Sequence, residues 1–391
     1  MRSQTLASLL VLVCLSIAIV ACGSAGGPSA PPPVPSFLYV LGQISTQEGQ
    51  ILTLPIDQNT GALGAAVAVP GPMPPPTAFA LDETKFLYIA QLLPLTQIFG
   101  YGIDQRTGAV SAIPSSPFLS PSNTLLNGGT AVNNFLYMGG TSFLTNGVAP
   151  TVSAFSIGTD GTLSSTVSGS PFTAAPPTNN LSGTGPALAV LSRYLYATEF
   201  EGQIGQPGGI AAFSTNTGTG TLTPLSGSPF PTGVDGSPVQ VICDSAHGPF
   251  LYVALVNPPG GQNVVAGFSI DQNTGALTPV PGSPFPIGGV LGLALDPSGQ
   301  FLFAGINVPG PNIVEFKVES DGSLTPLPGV SGVGPPFVFS ANHMYGVASS
   351  SSIAGFDFDT ATGSLTPVPG SPFSAGTPIV RDMVAVTLPS P

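Results

Sequence analysis

Residues 250 to 285 read FLYVALVNPPGGQNVVAGFSIDQNTGALTPVPGSPF, and they contain the pattern that decides the fold of this chain. An aromatic-Leu-Tyr segment opens the stretch, an alternating segment from Val265 to Ile270 follows, and an Asn-Thr-Gly turn leads into a shorter apolar segment. Two such segments on either side of an Asx/Gly turn are typical of a β-hairpin. The stretch therefore predicts three consecutive strands, followed by Ser283-Pro284-Phe285.

The same pattern occurs seven times along the chain. The aromatic-Leu-Tyr segment begins at residues 37, 86, 135, 194, 250, 301 and, in a weaker form, 343, with a mean period of about 51 residues. Each copy continues to a turn glycine, and five copies carry Ser-Pro-Phe, at 116–118, 170–172, 228–230, 283–285 and 371–373. One further apolar segment, such as Leu293-Ala294-Leu295, precedes the next copy. Four strands per repeat, named a to d, predict an all-β, seven-bladed β-propeller with antiparallel blades.

The two ends of the repeat region fit together. The first copy begins directly at strand b, whereas the segment from Arg381 to Val386 follows the last strand d and has the pattern of a strand a. We expect this C-terminal strand to complete the first blade and close the ring, which removes a free sheet edge. The propeller is thus predicted over residues 37–391. Phe of Ser-Pro-Phe is expected to pack between blades, and Pro to stop the outer strand.

Composition supports a folded domain and excludes some partners. The chain of 391 residues has 51 Gly and 45 Pro, but it is 42% hydrophobic and only 6% charged. Disorder normally needs low hydrophobicity and high charge, so the Gly and Pro residues are interpreted as turn residues. The six Lys and Arg residues are spread along the chain, and the net charge is −12. A basic face for nucleic acid or for anionic lipid is therefore not expected.

The N-terminus resembles a bacterial lipoprotein signal. One Arg precedes an apolar run from Leu6 to Ala21, and Cys22 and Gly23 follow it. The run suits a secretory signal better than a membrane span. We predict a signal peptide over 1–21, lipidation of Cys22 and a Pro/Gly-rich tether over 22–36, with Gly23 resembling the pattern sent to the outer membrane. The alternative is an ordinary signal peptide with an incidental Cys. Contact with the membrane is expected through the lipid anchor only.

Few residues carry recognisable chemistry. The chain has no nucleophile elbow, no phosphate-binding loop and no Cys/His cluster, and it has two histidines, His247 and His343. No metal site and no cofactor are therefore predicted. The DQNTG turns at 57–61 and 271–275 lack the further acidic ligand that a calcium loop needs, and they are interpreted as hairpin turns. Cys243, the Cys left outside the signal region, is interpreted as a small core residue.

One mouth of the predicted channel offers a candidate pocket. The ends of b strands and the starts of a strands meet there, which brings Glu199 and Glu201 towards Arg381 and Asp382. Acids and one Arg that converge at a channel mouth could bind a small molecule, such as a lactone or a carbohydrate, or a protein ligand. The alternative is that these residues are solvated loop residues.

The repeat also resembles a known family. Asp296 to Phe303 (DPSGQFLF), the GFSID strand and the TGALTP turn are similar to the seven-bladed lactonase family, which groups 6-phosphogluconolactonase-like and muconate-lactonizing propellers. The resemblance implies a pocket with Pro-Arg-His entering a central strand and Asn-Glu ending the next b strand. The matching positions are Pro186-Ala187-Leu188 and Thr198-Glu199, so Glu is retained while Arg and His are replaced.

Three hypotheses about function follow from this resemblance. The first is an exported, lipid-anchored propeller with a degenerate catalytic pocket and a binding or scaffold role. The second is a lactonase, a carboxylic ester hydrolase, that opens a neutral or weakly charged lactone with Glu199 as base and Arg381 holding the developing negative charge. The third is an inert structural protein of the cell envelope. The sequence leaves the oligomeric state open.

Overall fold

In a computed structural model of the chain, the regular structure of the described residues consists of strands. The structure describes residues 35–46, 48–72, 76–82, 84–91, 96–120, 124–144, 147–174, 186–199, 207–244, 246–256, 262–290, 292–307 and 311–389. The predicted signal peptide, Cys22 and most of the tether lie outside these residues, as does Glu201. Within them, no helix is long and apolar enough to cross a membrane.

Each blade is an antiparallel sheet whose strands follow one another from a to d. The innermost strands, a, are β33 (Ile379–Thr387), β4 (Pro76–Asp82), β9 (Thr124–Val132), β14 (Leu188–Leu191), β19 (Ser237–Asp244), β24 (Gly292–Leu295) and β28 (Gly334–Ser340). The b strands are β1 (Ser36–Gln43), β5 (Phe86–Gln91), β10 (Phe135–Leu144), β15 (Tyr194–Glu199), β20 (Phe250–Val256), β25 (Phe301–Asn307) and β29 (His343–Ser349).

The outer half of each blade follows the same order. The c strands are β2 (Gly49–Ile56), β6 (Gln97–Ile103), β11 (Gly147–Ile157), β16 (Pro207–Thr215), β21 (Val264–Ile270), β26 (Pro311–Val318) and β30 (Ser352–Phe358). The d strands are β3 (Val67–Gly71), β7 (Val110–Ala112), β12 (Leu163–Thr166), β17 (Leu222–Pro224), β22 (Leu277–Pro279), β27 (Leu324–Ser331) and β31 (Leu365–Pro367).

The seven blades form a closed ring. The inner strands contact one another in the order β33, β4, β9, β14, β19, β24, β28 and back to β33. Strand β33 pairs with β1 in antiparallel register, with Val384 opposite Tyr39. The prediction that the C-terminal strand completes the first blade is therefore confirmed. We number the blades from this sheet, so that blade 1 contains both β1 and β33.

The hydrophobic cores lie between neighbouring blades. In the core between blades 4 and 5, Tyr196 of one blade packs with Leu251, Val253 and Phe268 of the other. Each b strand is buried on both faces, because a blade packs against a neighbour on either side; this explains why the aromatic-Leu-Tyr segments lack a polar face. Cys243 is half-buried against the same core, as expected of a small core residue.

A tyrosine hydroxyl joins each of six blades to the next one. Tyr252 of blade 5 donates a hydrogen bond of 2.9 Å to the carbonyl oxygen of Gly322, in the c–d turn of blade 6. The equivalent pairs are Tyr39 with Gly108, Tyr88 with Gly161, Tyr137 with Gly220, Tyr196 with Gly275 and Tyr345 with Gly61. The turn glycine has a positive φ, 81° at Gly322, so a residue without a side chain suits this position. No local sequence pattern predicts a role for these hydroxyl groups.

The Ser-Pro-Phe segments break the outer strand of five blades. After a short strand d, the chain turns at Ser-Pro and forms a second short strand, which begins with Phe and pairs with strand c. In blade 4 this second strand is longer than in the other four blades. These second strands are β8 (Phe118–Leu119), β13 (Phe172–Thr173), β18 (Phe230–Asp235), β23 (Phe285–Pro286) and β32 (Phe373–Ser374). The expectation of four strands per blade thus holds with this addition.

The serine of the segment has a specific partner at the break. Ser283 Oγ accepts a hydrogen bond of 3.0 Å from the backbone N–H of Gly267, where strand d no longer pairs with strand c. The same bond occurs in blades 2, 3, 4 and 7. Phe285 packs against the core between blades 5 and 6, which confirms the packing predicted for this residue.

Candidate functional site

The ring has two faces, which we name by the strand ends that they carry. The upper face carries the ends of the b strands and the beginnings of the a strands, and the lower face carries the a–b and c–d turns. Glu199, Arg381 and Asp382 all belong to the upper face, as the sequence predicted from the antiparallel order of the strands.

A cavity of about 460 Å³ opens where four inner strands begin. It is lined by residues of blades 5, 6, 7 and 1: Gln240, Gly292, Leu293, Pro335, Pro336, Phe337, Arg381, Asp382 and Met383. Pro335, Pro336 and Phe337 make part of the lining apolar, and Arg381 contributes a cationic group to it. Such a mixture of an apolar lining with a few polar groups is typical of small-molecule sites.

Arg381 is placed by an irregularity in the closing strand. The pairing of β33 with β1 shifts between Leu41 and Gly42, so that Arg381 is left without a partner residue on β1. Its side chain is exposed, and its Nε donates a hydrogen bond of 2.7 Å to Oε1 of Gln43, which Nη2 also contacts. Gln43 ends strand β1 and is buried. The guanidinium is therefore held in a defined position while part of it faces the solvent.

Asp382 makes a hydrogen bond between two blades of the ring. Its Oδ2 accepts a hydrogen bond of 2.8 Å from the backbone N–H of Phe79, on the inner strand of blade 2. Burial raises the pKa of the Asp382 carboxyl to about 6, although the N–H groups of Phe79 and Met383 act in the opposite direction. Asp382 thus joins blade 1 to blade 2 at the edge of the cavity.

Gln240 likewise joins two blades, in this case blades 5 and 6. Its Oε1 accepts a hydrogen bond of 2.7 Å from the N–H of Leu293, and its Nε2 donates one of 3.0 Å to the Leu293 carbonyl oxygen. Gln240 and Asp382 each lie opposite the b-strand position two residues after the tyrosine. Gln240 was not predicted from the sequence, and this shared register is the signal that could have identified it.

Glu199 lies at the end of strand β15 in blade 4, whereas the residues that line this cavity belong to blades 5, 6, 7 and 1. It ends strand β15 opposite Gly209, and its Oε2 lies beside Gly209, which Pro229 also adjoins. The side chain is 9% exposed, and Oε1 has no hydrogen-bond partner among the described residues. Burial raises the pKa of the carboxyl to about 7. Glu199 is not among the described residues that line the cavity, so the structure brings Arg381 and Asp382 together there without it.

The two segments suggested by the lactonase resemblance are neighbours. Ala187 N donates a hydrogen bond of 2.9 Å to Thr198 Oγ1, and Thr198 N donates one of 3.0 Å to the Ala187 carbonyl oxygen. The positions at which the resemblance implies Arg and His therefore do adjoin the end of strand β15, but they hold Ala187 and Leu188. No cation takes their place among the described contacts of Glu199.

The lower face carries a different set of groups. His247 lies in the a–b turn of blade 5 and lines a cavity of about 570 Å³ together with Tyr194 and Gln272. Arg193 stacks over the Tyr194 ring at 5.2 Å and donates a hydrogen bond of 2.8 Å to the Asn273 carbonyl oxygen. Among the residues that the structure describes, no three His, Cys, Asp or Glu side chains are grouped as metal ligands would be.

The sequence matches no family profile and no curated protein closely enough to assign a family. Among solved structures, the periplasmic gluconolactonase PpgL of Pseudomonas aeruginosa superposes with a TM-score of 0.70 at 17% identity, over 91% of this chain and 100% of that one.

Two further structures agree with this result. A protein assigned as a 6-phosphogluconolactonase in Bacteroides uniformis has a TM-score of 0.68 at 18% identity, over 90% of this chain and 99% of that one. One from Bacteroides fragilis has the same TM-score and identity, over 92% and 100%. The chain therefore has the seven-bladed β-propeller fold that these lactonase-like structures share.

Proposed function

We propose that this chain is an exported, lipid-anchored propeller that binds a small molecule in the upper cavity and does not hydrolyse lactones. The observation that carries the proposal is that Glu199 is not among the described residues that line the cavity together with Arg381. A lactonase needs a base or an activated water at the bond that breaks. Besides Arg381, the polar side chains that line the cavity are Asp382 and Gln240, and both already hold backbone groups of neighbouring blades.

The cavity walls indicate the chemistry of the ligand. Arg381 offers guanidinium donors beyond those that bind Gln43, and guanidinium groups pair well with carboxylates. Pro335, Pro336 and Phe337 offer apolar side chains against which the face of a ring could pack. The ligand expected here is a small ring compound or sugar acid with a carboxylate or another strong hydrogen-bond acceptor.

Thermal-shift measurements with a panel of sugar acids, their lactones and aromatic carboxylates test the binding proposal. A ligand that binds only the folded protein raises its melting temperature in proportion to the logarithm of its concentration. The shift should be lost in Arg381→Gln and kept in Arg193→Gln, a matched variant on the lower face. A shift of equal size in both variants would show that the upper cavity is not the binding site. The absence of a shift with any compound would also contradict binding there, and it would favour an inert structural role.

A lactonase is the second candidate, and Glu199 favours it. A buried carboxyl with a pKa near 7 and an oxygen without a partner is typical of a general base. The test is hydrolysis of glucono-δ-lactone and other lactones, corrected for the spontaneous reaction. Turnover that disappears in Glu199→Gln, but not in Glu315→Gln, a matched buried acid elsewhere in the ring, would establish the lactonase. We expect no turnover above the blank in any of the three proteins.

Export and lipid anchoring are supported by the N-terminal sequence, in which the apolar run from Leu6 to Ala21 ends at Cys22. Expression in a bacterial host with a labelled fatty acid tests this part. Label should enter the wild-type protein and be absent from Cys22→Ser, and fractionation should place the labelled protein in the outer membrane. Soluble, unlabelled wild-type protein would remove the anchor from the proposal.

A further inference from the structure

Blade 6 lacks the hydroxyl that joins each of the other blades to its neighbour. The residue at the tyrosine position is Phe303, so blade 6 has no phenol to donate to the c–d turn of blade 7. In the other six blades, this hydrogen bond reaches the carbonyl oxygen of the turn glycine. The equivalent glycine of blade 7 is Gly363, whose φ of 83° matches the other turns.

A second exception in blade 6 lies directly opposite the first. Phe303 pairs across the sheet with Glu315 of strand c. In the other six blades, the residue opposite the tyrosine is small: Thr53, Gly100, Ala154, Ala212, Gly267 and Gly355. The one blade without the hydroxyl is thus the one blade with a carboxyl at the facing position.

The carboxyl of Glu315 lies beside Gly363, the turn glycine that the missing hydroxyl would serve. The side chain is 2% exposed, and a methyl group added to Gly363 would collide with its Oε1. Among the described residues, Oε1 has no hydrogen-bond partner. Phenylalanine rings enclose the region, because Phe303 packs on Phe358 with ring centroids 5.8 Å apart and Phe301 packs on Phe358 at 5.6 Å.

We propose that Glu315 replaces the tyrosine hydroxyl in blade 6: in its protonated form, the carboxyl donates a hydrogen bond to the Gly363 carbonyl oxygen and holds blade 7 against blade 6. A carboxylate cannot donate, and it would face a carbonyl oxygen across an apolar interface. Loss of the proton therefore releases this contact. The contact between blades 6 and 7 is therefore sensitive to pH, whereas the six equivalent contacts, which tyrosine hydroxyl groups make, are not.

The charged groups around Glu315 do not act against this assignment. Strands β25, β27 and β28 contribute no titratable side chain. On its own blade, exposed Lys317 pairs with Glu319 at 3.2 Å, and Asp296 accepts a hydrogen bond of 2.8 Å from Phe301 N. On blade 7, Asp357 contacts His343 at 2.9 Å, and Asp359 accepts the N–H groups of its own turn.

Burial alone raises the pKa of the Glu315 carboxyl from 4.5 to about 7. Between these values the folded protein keeps a proton that the unfolded chain has lost, so stability falls as pH rises through this window. Below it, the contribution of the protonated carboxyl is complete. Phe337, which packs in the same core as Phe303, also lines the upper cavity, so this junction lies next to the cavity wall.

The test measures melting temperature from pH 4 to pH 9 for the wild type, Glu315→Gln, Glu315→Ala and Glu315→Ala combined with Phe303→Tyr. The carboxamide donates at every pH, so Glu315→Gln should lose the fall in melting temperature that Glu315 causes between about pH 4.5 and 7. Glu315→Ala should melt lower than the wild type at acidic pH.

The double variant decides between this role and simple packing. If the carboxyl stands in for a hydroxyl, Phe303→Tyr restores the bond to Gly363 once Glu315 is Ala, and the melting temperature recovers by a few degrees with no added pH dependence. A double variant no more stable than Glu315→Ala would overturn the proposal. So would Glu315→Gln with the same pH dependence as the wild type, a comparison that remains valid if the Ala variant does not fold.

Discussion

The hydroxyl group of Tyr345 donates a hydrogen bond of 2.8 Å to the carbonyl oxygen of Gly61, which lies 284 residues earlier in the chain. This bond joins blade 7 to blade 1. It has the same geometry as the bonds between blades that follow each other directly, such as Tyr252 with Gly322 at 2.9 Å. The contact across the point of closure is therefore equivalent to the contacts elsewhere in the ring.

Tyr345→Phe should destabilise the protein by about 1 kcal/mol, because it removes one buried hydrogen bond and leaves the Gly61 carbonyl oxygen without its donor. Tyr252→Phe should cost the same within error if the ring is closed. Chemical denaturation of both variants measures the two losses. Tyr101→Phe is the control, because the Tyr101 hydroxyl reaches the Pro70 carbonyl oxygen at 3.3 Å, and its loss should cost less. A Tyr345→Phe variant as stable as the wild type would indicate an open ring.

Removal of strand β33 should abolish cooperative folding. The strand pairs with β1 along its length and buries Met383 and Val386, and Leu388 follows it at 1% exposure. A chain that ends at residue 378 would expose the inner edge of blade 1 and the cores on both sides of it. Circular dichroism during heating should show no sharp transition for this variant. A chain that ends at Leu388 is the control and should melt like the full-length protein.

Ser283→Ala should destabilise the protein by about 1–2 kcal/mol, because the Gly267 N–H would lose its acceptor at the break in the outer strand. Ser323→Ala is the matched control, since Ser323 bonds only within its own exposed turn. The free energies of unfolding of the two variants give the comparison. Equal losses would mean that the serine of Ser-Pro-Phe has no special role.

The melting temperature of the wild type should fall as pH rises from about 5 to 7. Burial raises the pKa of Asp382 to about 6 and the pKa of Glu199 to about 7, so the folded protein holds protons that the unfolded chain releases at lower pH. Asp382→Asn keeps an acceptor for Phe79 N but cannot ionise, and it should reduce this fall.

Asp104→Asn is the control for this pH series. Asp104 is exposed, and hydrogen bonds from Thr107 and Arg106 lower its pKa, so its contribution to stability is lost only at more acidic pH. The variant should therefore keep the wild-type dependence between pH 5 and 7. A slope changed equally by both variants would contradict the role given to Asp382.

The propeller could be predicted from the sequence because its signals are local and repeated. The aromatic-Leu-Tyr segments predict the b strands, and the turn glycines predict the hairpins between strands c and d. The additional segment that begins at Arg381 predicts the closing strand. The blades also follow one another in sequence order. The tyrosine hydroxyl contacts could not be predicted in the same way, because each depends on the distance between two blades. Glu315 left one signal, a carboxyl opposite the only phenylalanine at the tyrosine position.

The candidate site was predicted less completely. Chain order placed Glu199, Arg381 and Asp382 on one face, and the structure agrees. The direction of the Glu199 side chain was not predictable, because strand β15 is buried on both faces and alternation gives no solvent side. Two further features depend on how the closing strand pairs: the register shift at Arg381 and the hydrogen bond from Phe79 N–H to Asp382. No local sequence pattern predicts either of them.

Isothermal titration calorimetry with the best ligand of the panel and with glucono-δ-lactone tests the central claim, that the upper cavity binds without hydrolysis. We predict heat that saturates in the wild type and in Arg193→Gln, vanishes in Arg381→Gln and returns to the baseline after each injection. Continuous heat above the spontaneous reaction of the lactone, lost in Glu199→Gln, would contradict the account.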